Sequence, residues 1–127
     1  MRYLLDTCLL SEFVKPCPSP KVVDWGATQD ETDLYVSVLT FGEIQKGVTS
    51  LPASRRKAEL QRWLDEDLQE RFRERTLPVT TDIARRWGEI QGEARVHGRS
   101  VPVIDSLLAA TALEHDLTLV TNNEVDM

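Results

Sequence analysis

Four short apolar runs set the possible folds of this chain: "RYLLD" (2–6), "LYVSV" (34–38), "TLPV" (76–79) and "LTLVT" (117–121). Each is too short for a helix, and β-branched and aromatic residues favour the extended form, so each reads as a strand. Between them lie stretches with helical periodicity. The pattern predicts helices over 7–15, 20–30, 40–50, from Pro52 to about Arg73, over 81–97 and over 103–115. "PCPSP" (16–20) is a break, with Ser19 as N-cap and Pro20 in the first turn of the next helix. Phe41, Ile44 and Val48 share one helical face, as do Leu60, Trp63, Leu64, Leu68 and Phe72, and again Ile83, Trp87, Ile90 and Ala94. Gly98 ends the helix before it. Strands separated by helices cannot close as tight hairpins. They pair in parallel through right-handed crossovers, under helices on both faces. The expectation is an α/β fold with no internal repeats.

Composition narrows the class. A chain of 127 residues suits a single domain over 1–127 with a real core. The apolar fraction of 41% and the charged fraction of 28% are those of a soluble globular protein. No apolar run is long enough for a membrane span. Met1 leads directly into "RYLLD" without a signal-peptide pattern, so the cytoplasm is the expected compartment. Cys8 and Cys17 fit no zinc spacing, and with only His97 and His115 beside them a Cys/His metal site is not expected. Both cysteines read as small apolar residues. A net charge of −6 argues against coating nucleic acid by bulk electrostatics. It leaves room for an enzyme that works with a few local cations.

In open parallel sheets, ligands bind outside the carboxyl ends of the strands. Polar residues at those ends therefore matter. Asp6 closes the first strand, Glu43 follows the second, Asp105 opens the helix before the last, and Asn123 and Asp126 follow the last. Each also has a structural reading. Asp6 can cap helix 7–15. Thr40-Phe41-Gly42-Glu43 fits a capping box in which Glu43 accepts from the Thr40 N–H. Asp105 can cap its helix or complement its dipole. Taken together, the acids fall at one rim, where they repel one another unless cations intervene. Mg²⁺ or Mn²⁺ suits such an all-oxygen set, leaving sites for substrate phosphate. Such an ion polarises a phosphate and activates a water. Arg85, Arg86, Arg95 and Arg99 read either as phosphate grips or as a solvated helix face. His97 reads as a helix C-terminal residue rather than a general base. "SEF" and "VKPCPSPKV" supply either core or part of a partner groove.

The segments "YLLDTCLLSEF", "SVLTFGEIQKGV", "VPVIDSLLAATALEHDLTLVTNN" and the terminal "EVD" resemble, in order and spacing, the motifs of PIN-domain ribonucleases. The likeness is to the VapC/FitB-like toxins of bacterial type II toxin–antitoxin modules. It implies a PIN-like domain with a central parallel sheet of four or five strands. It also implies Mg²⁺/Mn²⁺-dependent endoribonuclease activity on an RNA substrate, a cognate antitoxin partner, a homodimer using apolar residues of 9–48, and contact with DNA only through the antitoxin. By the resemblance Asp6, Glu43 and Asp105 are metal ligands with Asn123, and Asp6, Glu43, Asp105 and Asp126 are the catalytic acids. Thr7 is expected to hold a carboxylate or a water behind them. The chain departs from relatives at Cys8, where they carry Asn, at Asn122, where they often carry Arg, and at Met127, where they often carry Phe. Relatives also continue into a short final strand beyond that position. A phosphatase of the haloacid-dehalogenase type needs a second Asp where Cys8 stands, and a receiver domain needs paired acids and a late Lys that are not evident. The alternative that remains is a non-catalytic PIN-like module acting with a DNA-binding antitoxin in regulation.

Overall fold

A computed structural model of the chain describes residues 1–121. Four parallel strands form one sheet in the order β3-β2-β1-β4: β1 (Tyr3–Leu5), β2 (Leu34–Ser37), β3 (Thr76–Leu77) and β4 (Thr118–Val120). β1 is internal, with Tyr3 opposite Leu34 on one side and Thr118 on the other. Its side chains alternate between faces. Leu5 joins one buried cluster with Leu9, Val22, Ile44, Leu68 and Phe72, while Leu4 joins a second with Leu108 and Ala112. This alternation is why the sheet is covered on both sides, as its apolar strands require. No helix among the described residues is long and apolar enough to cross a membrane.

The first face is covered by α1 (Thr7–Glu12), α2 (Pro20–Ala27), α3 (Val38–Thr49) and a long helical segment. The second is covered by α7 (Val103–His115), against which α6 (Thr81–Val96) packs. The long segment is not one uniform helix. It runs as α4 (Arg55–Arg62), a π-helical turn (Trp63–Leu68) and α5 (Gln69–Arg71). Its apolar stripe explains the change. Leu60, Leu64, Leu68 and Phe72 recur every four residues, and in an α-helix each such step drifts about 40° around the axis. A wider turn cancels part of the drift. Leu64, Leu68 and Phe72 are accordingly all buried.

Several boundaries differ from the sequence reading. Ser37 caps α3, its hydroxyl accepting from the Leu39 N–H at 3.1 Å, so the helix starts at Val38 and not at 40. Pro52 does not open the long helix; Ser54 caps it, accepting from the Lys57 N–H at 3.1 Å. α1 ends at Glu12, and a short 3₁₀ turn over Glu31–Asp33, held by Asp30, precedes β2. Ser19 precedes Pro20 as expected, but its side chain makes no capping bond. Cys8 and Cys17 are both exposed and are not core residues.

α6 and α7 close in the same way. The Arg99 N–H reaches Ala94 O at 2.7 Å past Gly98, and the Leu117 N–H reaches Ala112 O at 2.8 Å past Asp116. Both intervening residues are left-handed, with φ of 68° at Gly98 and 55° at Asp116. Glycine adopts this conformation without strain, whereas a side chain costs about 1–2 kcal/mol. Gly98→Ala is therefore expected to lose about 1 kcal/mol of stability, and Asp116→Gly to gain up to about that much. Urea unfolding of the two variants reads the opposite signs directly.

Candidate metal centre

Asp6 sits where β1 turns into α1. Its N–H donates to Val120 O of β4 at 3.1 Å, and its carbonyl accepts from the Leu10 N–H at 3.1 Å. Its carboxylate caps α1, Oδ1 accepting from the Leu9 N–H at 2.7 Å. The structural reading of Asp6 as the cap of α1 is thus correct. Strand pairing, helix start and cap together fix the side chain at the carboxyl end of the central strand.

Thr7 ties this turn to α3. Its Oγ1 donates to Glu43 Oε1 at 2.5 Å, and the buried Thr40 hydroxyl lies 3.5 Å from Thr7 Oγ1. Glu43 is therefore not the partner of a capping box. Ser37 has moved the helix start forward, which puts Glu43 in the second turn, facing Thr7 across the crevice. Asp105 is the third residue of α7, whose N-cap is Pro102. It is a first-turn acid that complements the helix dipole, and it is exposed, not a cap.

Cys8 reports how these acids are arranged. Its thiol is held above the ordinary thiol range, first by partial burial, then by the fields of Asp6, Glu43 and Asp105 in that order. A negative neighbour disfavours the thiolate. Three carboxylates from β1, α3 and α7 thus act on one sulfur atom. Among the described residues they do not close into a three-ligand cage around one point. They share a rim. Asn122, Asn123 and Asp126 lie outside the described residues. The donor chemistry fits a hard divalent cation, since the set offers carboxylate and hydroxyl oxygens and the thiol among them is kept protonated.

A groove of about 250 Å³ leads away from Thr7 and Glu43 along Ile44, Val48 and Trp63, with Lys15 and Arg56 among its lining residues. Part of the "VKPCPSPKV" segment, Val14 and Lys15, thus lines a groove beside Glu43. Glu12 is core-like: buried, it accepts from the Ser19 N–H at 2.9 Å and pairs with Lys15 at 2.6 Å. Arg56 donates to the Val14 carbonyl. Larger hollows of about 440 and 1010 Å³ contain none of the three acids. Arg86 is paired with Glu114 at 3.1 Å, while Arg85, Arg95 and Arg99 are exposed. His97 is the C-cap of α6, its Nδ1 2.9 Å from Glu93 O, as the helix-end reading expects.

The PIN domain family model matches residues 3–125. Toxin FitB of Neisseria gonorrhoeae is 33% identical over 120 residues, spanning 94% of this chain and 86% of that protein. VapC ribonuclease Y4jK of Sinorhizobium fredii is 29% identical over 120 residues, with the same coverage of 94% and 86%. A chain in the structure of FitAB bound to an IR36 DNA fragment superposes with a TM-score of 0.87 at 31% identity, covering 96% of this chain and 85% of that one.

The order of fields at Cys8 is a test of the arrangement. In a Cys17→Ser background with chelator present, removing one negative charge should lower the thiol pKa and speed alkylation at pH 8. The gain should be largest for Asp6→Asn, smaller for Glu43→Gln and smallest for Asp105→Asn. An alkylation rate that ignores Asp105→Asn would place that residue away from the other two.

Proposed function

We infer the activity of this chain from one premise: it belongs to the PIN domain family. It is an RNA-cleaving nuclease and the toxin of a toxin–antitoxin pair. Relatives named as a toxin and as a ribonuclease support this reading. The observation that carries it to a site is the hydrogen bond from Thr7 Oγ1 to Glu43 Oε1, which joins α3 to the turn after β1 that bears Asp6.

Asp6, Glu43 and Asp105 would hold Mg²⁺ or Mn²⁺, with Asn123 as a further ligand and Asp126 as a further catalytic acid. When bound, such an ion neutralises phosphate charge and acidifies a coordinated water. The chain's own residues do the rest. Asp6 is held at the carboxyl end of β1 by its cap, Oδ1 accepting from the Leu9 N–H. Thr7 fixes the orientation of Glu43 by donating to Oε1. The exposed carboxylate of Asp105 orients the attacking water and accepts its proton. Attack on phosphorus by external water expels the 3′-oxygen. The products are a 5′-phosphate and a 3′-hydroxyl, and the 2′-hydroxyl is not used as nucleophile.

The antitoxin covers the toxin and carries the DNA contact, in keeping with the DNA-bound FitAB complex. A chain of net charge −6 is poorly suited to hold DNA unaided. The toxin assembles as a homodimer through apolar surface within 9–48, where Val23 and Val38 are exposed.

Purified protein should cleave RNA in Mn²⁺, stop in chelator and recover when Mn²⁺ is restored. Asp105 is exposed and caps nothing, and losing its charge from the first turn costs only about 0.3–1 kcal/mol. Asp105→Asn should therefore lower its metal-free melting temperature only slightly yet lose at least about a hundredfold in cleavage, since even a residue behind a metal ligand costs 10–100-fold when removed. Full activity of this variant, or cyclic-phosphate ends from the wild type, would contradict the mechanism. A protein that binds its antitoxin but cleaves no RNA would be the non-catalytic module instead.

A further inference from the structure

α7 presents Asp105 from a helix start that lacks the usual means of holding itself. Pro102 is its N-cap, and no side chain caps the terminus. Proline has no N–H and no side-chain acceptor, so the first turn is fixed in another way. Ser106, next to Asp105 and 1% exposed, is the anchor. Its hydroxyl has one proton to give, to Pro102 O at 2.8 Å or Val103 O at 2.9 Å. It accepts from Trp87 Nε1 at 3.0 Å and from Gln91 Nε2 at 2.8 Å. The second Gln91 Nε2 proton goes to Val101 O at 3.0 Å. One donor and two acceptors are all a serine hydroxyl offers, and here all are engaged. Two side chains of α6 thus clamp both the connection into α7 and its first turn from the side away from solvent.

We propose that Trp87, Gln91 and Ser106 are positioning residues that set where Asp105 stands in the metal-binding rim. This rests on the reading of that rim as a metal site. Asp105 itself is exposed, so its place depends on the backbone that bears it, and this network holds that backbone. A satisfied buried network with a single arrangement specifies geometry more sharply than apolar packing does. A ligand held by such a network binds its ion without first having to be ordered.

Mn²⁺ binding, followed by the loss of its free-ion EPR signal, separates positioning from mere stability. Ser106→Ala and Gln91→Met should weaken Mn²⁺ binding by about tenfold or more. Trp87→Phe, which keeps the ring and loses only the N–H, should weaken it less. RNA cleavage should fall in kcat with KM unchanged. Thr111→Val is the control. That hydroxyl is buried in the same helix and donates to Leu107 O at 2.8 Å, away from the first turn. It should lower the melting temperature and leave Mn²⁺ affinity within about twofold. The inference is overturned if Gln91→Met and Ser106→Ala bind Mn²⁺ like the wild type, or if Thr111→Val loses as much affinity as they do. Should Ser106→Ala not fold, Gln91→Met and Trp87→Phe decide alone. A wild-type protein that binds no Mn²⁺ would remove the metal-site reading, and this inference with it.

Discussion

The structure depends on β1 being hydrogen-bonded on both sides. A strand with partners at each edge has no freedom in register, because a slip of one residue would turn Leu4 and Leu5 to the wrong faces. Its end is equally fixed. Asp6 continues the ladder to Val120 through its N–H and begins α1 through its carbonyl. The chain must leave the sheet at that residue. The crevice above the strand ends is therefore a consequence of pairing, and the side chain at the turn inherits its direction from the backbone.

Helix starts explain how a fold tolerates acids gathered at one rim. Each N-terminus carries unpaired N–H groups and a partial positive charge. Asp6 satisfies the Leu9 N–H, and Asp105 lies in the first turn of α7. Structural and functional readings of these acids are not rivals. A cap uses one oxygen of a carboxylate, and the dipole draws on charge without using a hydrogen bond. Glu43 has no helix end to offset its charge, and a neutral donor, Thr7, reaches it from the neighbouring turn instead.

The fold was legible where its causes are local. The four runs from 2–6, 34–38, 76–79 and 117–121 all contain strands, each trimmed to the residues that find partners. The apolar stripe from Leu60 to Phe72 is buried or half-buried as its spacing implies. The failures arose where two local signals competed or where the cause was distant. Thr40 and Glu43 make a good capping box on paper, but Ser37, buried at the end of β2, takes the cap first. The π turn follows from the four-residue spacing of Leu60, Leu64, Leu68 and Phe72, which the sequence reading took as an ordinary helical stripe. Cys8 was read by its residue type and not by its place on a helix start facing the acids. The positions of Asp6 at the end of β1 and of Asp105 in the first turn of α7 were legible from the local pattern. Trp87, Gln91 and Ser106 were not, because contacts between two helices leave no trace in either helix's pattern.

One cation is proposed to be shared by Asp6 at the end of β1, Glu43 of α3 and Asp105 of α7. Anomalous diffraction at the manganese edge from crystals grown with Mn²⁺ tests this. A peak is expected in the crevice bonded to a carboxylate oxygen of Asp6 and one of Asp105, with Glu43 bound to it directly or through a water. A well-ordered rim with no anomalous peak at saturating Mn²⁺, or a peak held by other residues, would contradict it.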